Sequence, residues 1–216
     1  MGRAKLPRKS TSIDMTAMCD VAFLLLSFFI LATKPKPPAI VSIVTPSSIS
    51  NKSVEQKDQV LVNIDRTGKV FLEISDKDKR REIVANLNDR LKLGLSEADL
   101  DRAKNTDYFG TSEANLGQYL RSTEKDASQL SGIPAQDSTN NQLKDWMEST
   151  NIVYTGSEMH LLVKGDEGAK YPVFKNVIDA FKKNDMMKFE IITSQQGVDP
   201  TSDYYKEKVA TGKAPE

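Results

Sequence analysis

The stretch "IDMTAMCDVAFLLLSFFILAT", residues 13–33, has the composition of a membrane span, yet it holds a carboxylic acid, Asp20, beside its most apolar run. At roughly 1.5 Å of rise per residue, a helix over 13–33 crosses a hydrocarbon core of about 30 Å only if Asp20 lies inside it. Two readings compete. The uninterrupted apolar run from Val21 to Ala32, behind a basic start, also has the length of the apolar segment of a cleaved export signal. Against cleavage, Ala32 lacks a small partner two positions earlier, where Ile30 stands, and Lys34, Pro35, Lys36, Pro37 and Pro38 follow at once. The expectation is therefore a transmembrane helix over 13–33. Arg3, Lys5, Arg8 and Lys9 precede it, while only Lys34 and Lys36 follow. That bias places a basic tail, residues 1–12, in the cytoplasm and the bulk of the chain outside it.

An aspartate at the centre of a lipid-facing helix costs about 2.5–3.5 kcal/mol or more, so such residues usually face a partner or a water-filled path. Helical spacing puts Thr16, four residues before Asp20, and Ser27, seven after it, on the same face as the acid. This supporting polar face is the only polar line along the span. Two roles for Asp20 stand at this point. A carboxyl whose access to water changes is suited to taking up and releasing a proton; the same group can also serve as a polar contact that glues two helices together. Either role needs a partner, because one helix makes no path by itself. Asp14 falls on another face and is expected at the headgroup level.

The rest of the 216-residue chain reads as soluble. Its 30 basic and 30 acidic side chains cancel to a net charge of zero, which argues against a nucleic-acid binder. The single cysteine, Cys19, leaves no intramolecular disulfide to form. Residues 34–58 form a proline-rich linker in which Ile40 to Val44 resemble a short strand closed by Pro46. An isolated strand needs a neighbouring edge, in this protein, in a dimer mate or in another chain. Val41, Ile43 and Pro46 are the candidate partner-binding positions on it.

From residue 59 to 196 the pattern is strand, strand, helix, insertion, strand, helix, strand. It predicts an α+β domain with helices on one face of a small mixed sheet. "QVLVNIDRTGKVFLEI" reads as a hairpin turning at Asp65 and Gly68, and "RREIVANLNDRLKLG" as a helix stopped at Gly94. The insertion, residues 95–150, reads as polar and irregular, with helices near "TSEANLGQYLRSTEK" and "NNQLKDWMEST" and with Trp146 anchoring its own helix. "MHLLVKGDEG", "YPVFKNVIDAFKKND" and "KFEIITS" supply the distal strand, helix and strand; residues 197–216 read as a disordered tail. No catalytic constellation stands out, so no enzyme is expected. His160 is alone, and Asp166 with Glu167 in "GDEG" lack the spaced partners of a metal site.

Taken together, these segments resemble the ExbD/TolR family, single-span subunits of proton-driven motors in the inner membrane of Gram-negative bacteria. "IDMTAMCDVAFLLLSFFILA" is similar to the family's span, "VSIVTPSS" to its short post-membrane strand, and "LLVKGDEGAKYPVFKNVIDAFKKNDMMKFEIIT" to its distal strand, helix and strand. In the last of these the family favours an aspartate five residues before a tyrosine, here Asp166 and Tyr171. Asp14 stands where asparagine is usual and Ala17 where proline is usual.

The resemblance implies that Asp20 is the proton-carrying residue and that Thr16 is its companion one turn earlier. It further implies a homodimer whose helices sit within an ExbB/TolQ-like pentamer and whose periplasmic domains pass motion to a TonB-like energy transducer for outer-membrane transport. Protons would be the coupling ion, with no cofactor or metal. A TolR-like subunit of an envelope-maintenance system, or a non-energised single-pass scaffold, are the alternatives.

Overall fold

The computed structural model describes residues 15–33, 42–48, 57–122, 130–135 and 140–195. Asp14, Val41 and the expected tail over 197–216 lie outside the described residues. The chain divides into two compact units, residues 1–39 and 40–216.

The described residues of the first unit form one helix, α1 (Met15–Ala32), with no charged residue in its first or last turn. Its eighteen residues span about 27 Å at 1.5 Å each, close to the thickness of a hydrocarbon core. Thr33 ends it by closing back on the last turn, its backbone N–H donating to the Phe29 carbonyl at 3.0 Å and its hydroxyl to the Ile30 carbonyl at 3.0 Å.

The second unit is the α+β domain, a mixed sheet with its helices on one face. Strands β2 (Gln59–Ile64) and β3 (Val70–Ile74) form the expected antiparallel hairpin. Its turn is set by Asp65, whose carboxylate accepts the Lys69 N–H at 2.7 Å and the Thr67 hydroxyl at 2.8 Å. Gly68 completes the turn at φ +88°, and a Cβ there would meet the Val173 side chain at 3.0 Å. Preceding the hairpin is the two-residue β1 (Ser47–Ser48), and following it is the long helix α2 (Lys77–Leu91). The carboxylate of Asp76 caps α2 by accepting the Asp78 and Lys79 N–H groups. The helix does not stop at Gly94 as expected. It ends at Lys92, in the left-handed region at φ +53°, where Asn88 takes over: its carbonyl accepts the Leu93 N–H at 3.3 Å and its side chain the Leu95 N–H at 2.9 Å.

Residues 95–150 are more ordered than their polarity predicts. They contain α3 (Glu97–Lys104), β4 (Tyr108–Phe109), a 3₁₀ turn (Glu113–Asn115) running into α4 (Leu116–Arg121), and the first part of α5 (Leu143–Val153). Neither α3 nor β4 is expected from the sequence. Helix α3 starts on a reciprocal cap between Ser96 and Asp99. The Asp99 carboxylate is fully buried and paired to Arg121 at 2.6 Å and Arg102 at 2.8 Å, so it ties α3 to α4. The Arg121 guanidinium holds this carboxyl well below the usual carboxylate range, against the opposing pull of burial. Arg80 does similar work at the other end. Its guanidinium donates to the Ile74 carbonyl at 2.6 Å and the Thr106 carbonyl at 2.9 Å, joining β3 to the approach of β4.

The remaining elements are β5 (His160–Gly165), α6 (Tyr171–Lys183), β6 (Phe189–Ile191) and β7 (Ser194–Gln195). The main sheet has the order β4-β3-β2-β5-β6, with β5 parallel to both β2 and β6. Alternate residues Val60, Val62, Ile64, Leu72, Ile74, Leu161 and Val163 face a core closed by Ile83, Val84 and Leu87 of α2 and by Val177, Ala180 and Phe181 of α6. Leu116, Leu120, Leu143 and Met147 belong to the same core. Trp146 is 0 % exposed and lies with its ring 5.0 Å from that of Phe109 in β4. Trp146 thus fixes α5 to the main core, where the inserted segment and the sheet bury their apolar surface together.

A shared core makes the insertion part of the fold's stability. Trp146→Ala is expected to destabilise the domain by about 3–5 kcal/mol. Ile152→Ala, one turn and a half later on α5 but 48 % exposed, is expected to change stability by about 0.5 kcal/mol or less. Urea unfolding of both variants followed by tryptophan-independent far-UV dichroism measures the contrast.

Candidate functional site

Two places in the chain carry polar groups where apolar or free backbone would be expected: the face of α1 that holds Asp20, and the segment 42–48 that follows the linker.

On α1, Asp20 is the only charged side chain. With roughly 100° of rotation per residue, Thr16, Asp20 and Ser27 fall within about 40° of arc, so they form a stripe. Thr16 sits about 6 Å before Asp20 along the axis and Ser27 about 10 Å after it. The Ser27 hydroxyl donates to the Leu24 carbonyl at 2.9 Å. Its proton is thus committed to the helix backbone, and what it offers a neighbour is an acceptor oxygen. Every other side chain along α1 after Asp20 is apolar, and none is buried within the chain. A helix that is apolar around its circumference apart from one polar stripe is built to be covered by lipid or by other membrane helices, and the acid is the one charged group in that stripe.

The post-membrane segment differs from expectation. Residues 42–46 form no strand, and Val41 lies outside the described residues. The two-residue strand falls instead at Ser47–Ser48, after Pro46, and pairs in parallel with β7 through Ser47↔Ser194 and Ser48↔Gln195. The physical reason is that the polar groups before it are taken by a turn. The Val44 N–H donates to the Asp166 carboxylate at 3.0 Å, and the Glu167 N–H donates to the Val44 carbonyl at 2.8 Å. The Pro46 carbonyl then accepts the Ser194 N–H at 2.9 Å, and the Thr45 and Ser194 hydroxyls hydrogen-bond to each other. Residues 42–48, with Ile43 and Pro46 among them, are thereby strapped to their own domain.

Asp166 is the residue that the sequence did not single out for this task. Besides Val44 it accepts the Gly168 N–H at 2.8 Å, and these backbone donors, Val44 first, hold its carboxyl below the usual carboxylate range. The available signal was the spacing of Asp166 to Tyr171, which marks a turn but not what the turn grips. In "GDEG" the Asp166 oxygens thus point to backbone N–H groups, and Glu167 is exposed. Among the described residues no three His, Cys, Asp or Glu side chains converge to hold a metal ion. His160 opens β5, where its N–H donates to the Asp58 carbonyl at 3.0 Å.

Because the folded Asp166 carboxyl is depressed, the stability its hold on Val44 contributes is complete above the ordinary value of 3.8 and is lost as pH falls through the lower folded value. At neutral pH the same loss is expected on substituting Asp166→Ala. Hydrogen exchange should then speed up at residues 42–48 while the core strands β2 and β5 keep their protection. Unchanged exchange in 42–48 would mean that the β1–β7 pairing holds the strap without Asp166.

A sequence model of the family described as biopolymer transport protein ExbD/TolR matches residues 7–196. The matched range takes in α1, the strap, the inserted segment and the sheet, so it covers both of the places just described. No curated protein and no solved structure matches the chain. With its apolar helix, its α+β domain and a family match over most of its length, the chain belongs to the ExbD/TolR family, inner-membrane single-pass subunits of proton-motive-force-driven motors that work with ExbB/TolQ-type membrane proteins.

Proposed function

We propose that this chain is the ExbD-like subunit of a motor that energises a TonB-like protein for outer-membrane transport, and that Asp20 carries the proton. The observation that supports this reading is the position of Asp20: it is the one charged side chain of the apolar helix, and it lies within the region matched by the family. In this reading the amino terminus is cytoplasmic, the α+β domain is periplasmic, and the chain works as a homodimer within an ExbB-like pentamer. The protein is not an enzyme and needs no cofactor beyond protons.

The mechanism follows from differential solvation. An ionised Asp20 is held where polar groups of the surrounding ring compensate its charge. Protonation removes the charge and with it the preference for that sector, so the helix is free to move through an apolar one. Thr16 and Ser27 extend the polar stripe on either side, and the Ser27 oxygen is available to accept a hydrogen bond from a neutral carboxyl of a neighbouring helix. Each proton that crosses a potential of 100 mV releases about 2.3 kcal/mol, a quantity comparable with the bias of a two-state conformational step.

Asp20→Asn keeps the size and polarity of the side chain but removes the carboxyl that would bind and release the proton. Cells whose only copy carries this substitution are expected to lose siderophore or vitamin uptake while membrane level and co-purification with the pentameric partner stay at wild-type values. Normal uptake with a fragile envelope would assign the chain to the envelope-maintaining TolR branch. Normal uptake with a normal envelope would reduce it to a non-energised anchor.

A further inference from the structure

Outside the membrane helix, one acid of the inserted segment is placed without compensation. Glu113 opens the 3₁₀ turn that leads into α4, and its backbone N–H donates to the Gln142 side-chain oxygen at 3.0 Å, next to the start of α5. The side chain is half-buried, and its Oε1 is buried with no hydrogen-bond partner among the described residues. Two charged groups face it. Asp145, in the first turn of α5, repels its ionised form, and Arg90, in the last turn of α2, attracts it.

The attraction is weak for a geometric reason. The Arg90 guanidinium is already committed to α5, donating to the Asp145 carbonyl at 3.2 Å, the Ser149 hydroxyl at 3.0 Å and the Glu148 carboxylate. None of these three bonds goes to Glu113, while the Asp145 carboxylate repels its charge. Burial and Asp145 together push the Glu113 carboxyl up to about 7. The turn it begins runs directly into α4, whose Leu116, Tyr119 and Leu120 are buried in the core and whose Tyr119 hydroxyl donates to the Tyr108 carbonyl at 2.6 Å.

We infer that Glu113 is a pH-responsive latch of the inserted segment: with its carboxyl neutral, the 3₁₀ turn seats tightly against the start of α5, and with its carboxyl ionised, that seat is weakened by a buried charge beside Asp145. The sign follows from linkage. A carboxyl raised on folding contributes stability that is complete below its unfolded value, near 4.5, and is lost as pH rises through about 7. This inference is independent of the role proposed for Asp20.

The test uses the full-length protein in detergent micelles with carbon-13 carboxyl-labelled glutamate, Glu113 being assigned by comparison with Glu113→Gln. The Glu113 resonance is expected to titrate near 7, and Asp145→Asn is expected to lower that midpoint; a wild-type midpoint near 4.5 overturns the inference. Hydrogen exchange gives the second readout. After correction for intrinsic rates, amides of residues 111–122 should exchange about tenfold faster at pH 8 than at pH 6 in the wild type. The pH dependence should vanish in Glu113→Gln. Equal corrected protection at both pH values in the wild type overturns the latch, and the wild-type measurements decide it even if the variants fold poorly.

Discussion

The domain depends on one long-range pairing, the parallel ladder between β2 and β5. It aligns Gln59 to Ile64 with His160 to Gly165, so the first strand of the hairpin and the first strand of the distal half become central neighbours in the sheet. Parallel neighbours cannot be joined by a tight turn, and the chain between them must cross over one face of the sheet. Here the crossing chain carries α2 through α5, and its apolar residues become the core. The requirement explains why the inserted segment is ordered: a crossover that left Leu116, Leu143 and Trp146 unburied would leave the inner face of β2 and β3 exposed.

The polar groups that hold this crossover together are few and specific. Asp99 and Arg80 are buried charges with compensated partners, and each joins two elements distant in sequence. Buried charges of this kind contribute little net stability over apolar substitutes, but losing one partner is costly. Glu113 stands in contrast, since its neighbours leave its charge uncompensated. The same segment therefore has rigid attachments through Asp99 and Arg80 and one conditional attachment at its 3₁₀ turn.

Sequence periodicity revealed the hairpin, α2, β5 and α6 because each has an uninterrupted apolar pattern bounded by a turn signal such as Asp65 and Gly68. It failed over 95–110, where α3 is short and five of its eight residues are charged. Ser96 and Asp99, with Leu100 and Ala103 following, were the readable sign of that helix. The strap was misread for a different reason. Ile40 to Val44 have strand-like composition, but the Val44 N–H is taken by a turn side chain, Asp166, and the Pro46 carbonyl by the distant Ser194, neither of which local pattern reveals. Asp20 was legible at once, since a carboxylate in an apolar helix needs no structure to be noticed, and the fold of the domain adds nothing to its reading.

The central claim is that Asp20 takes up a proton while surrounded by apolar groups of the assembled motor. The most direct measurement is labelling with dicyclohexylcarbodiimide, which reacts with protonated carboxyls in apolar surroundings, on the chain co-purified with its ExbB/TolQ-type partner, followed by mass spectrometry of the peptide over residues 10–34. The account predicts an adduct at Asp20 that diminishes as pH is raised. An assembled complex in which Asp20 stays unlabelled at every pH, while the reagent is shown to enter the membrane, would contradict it.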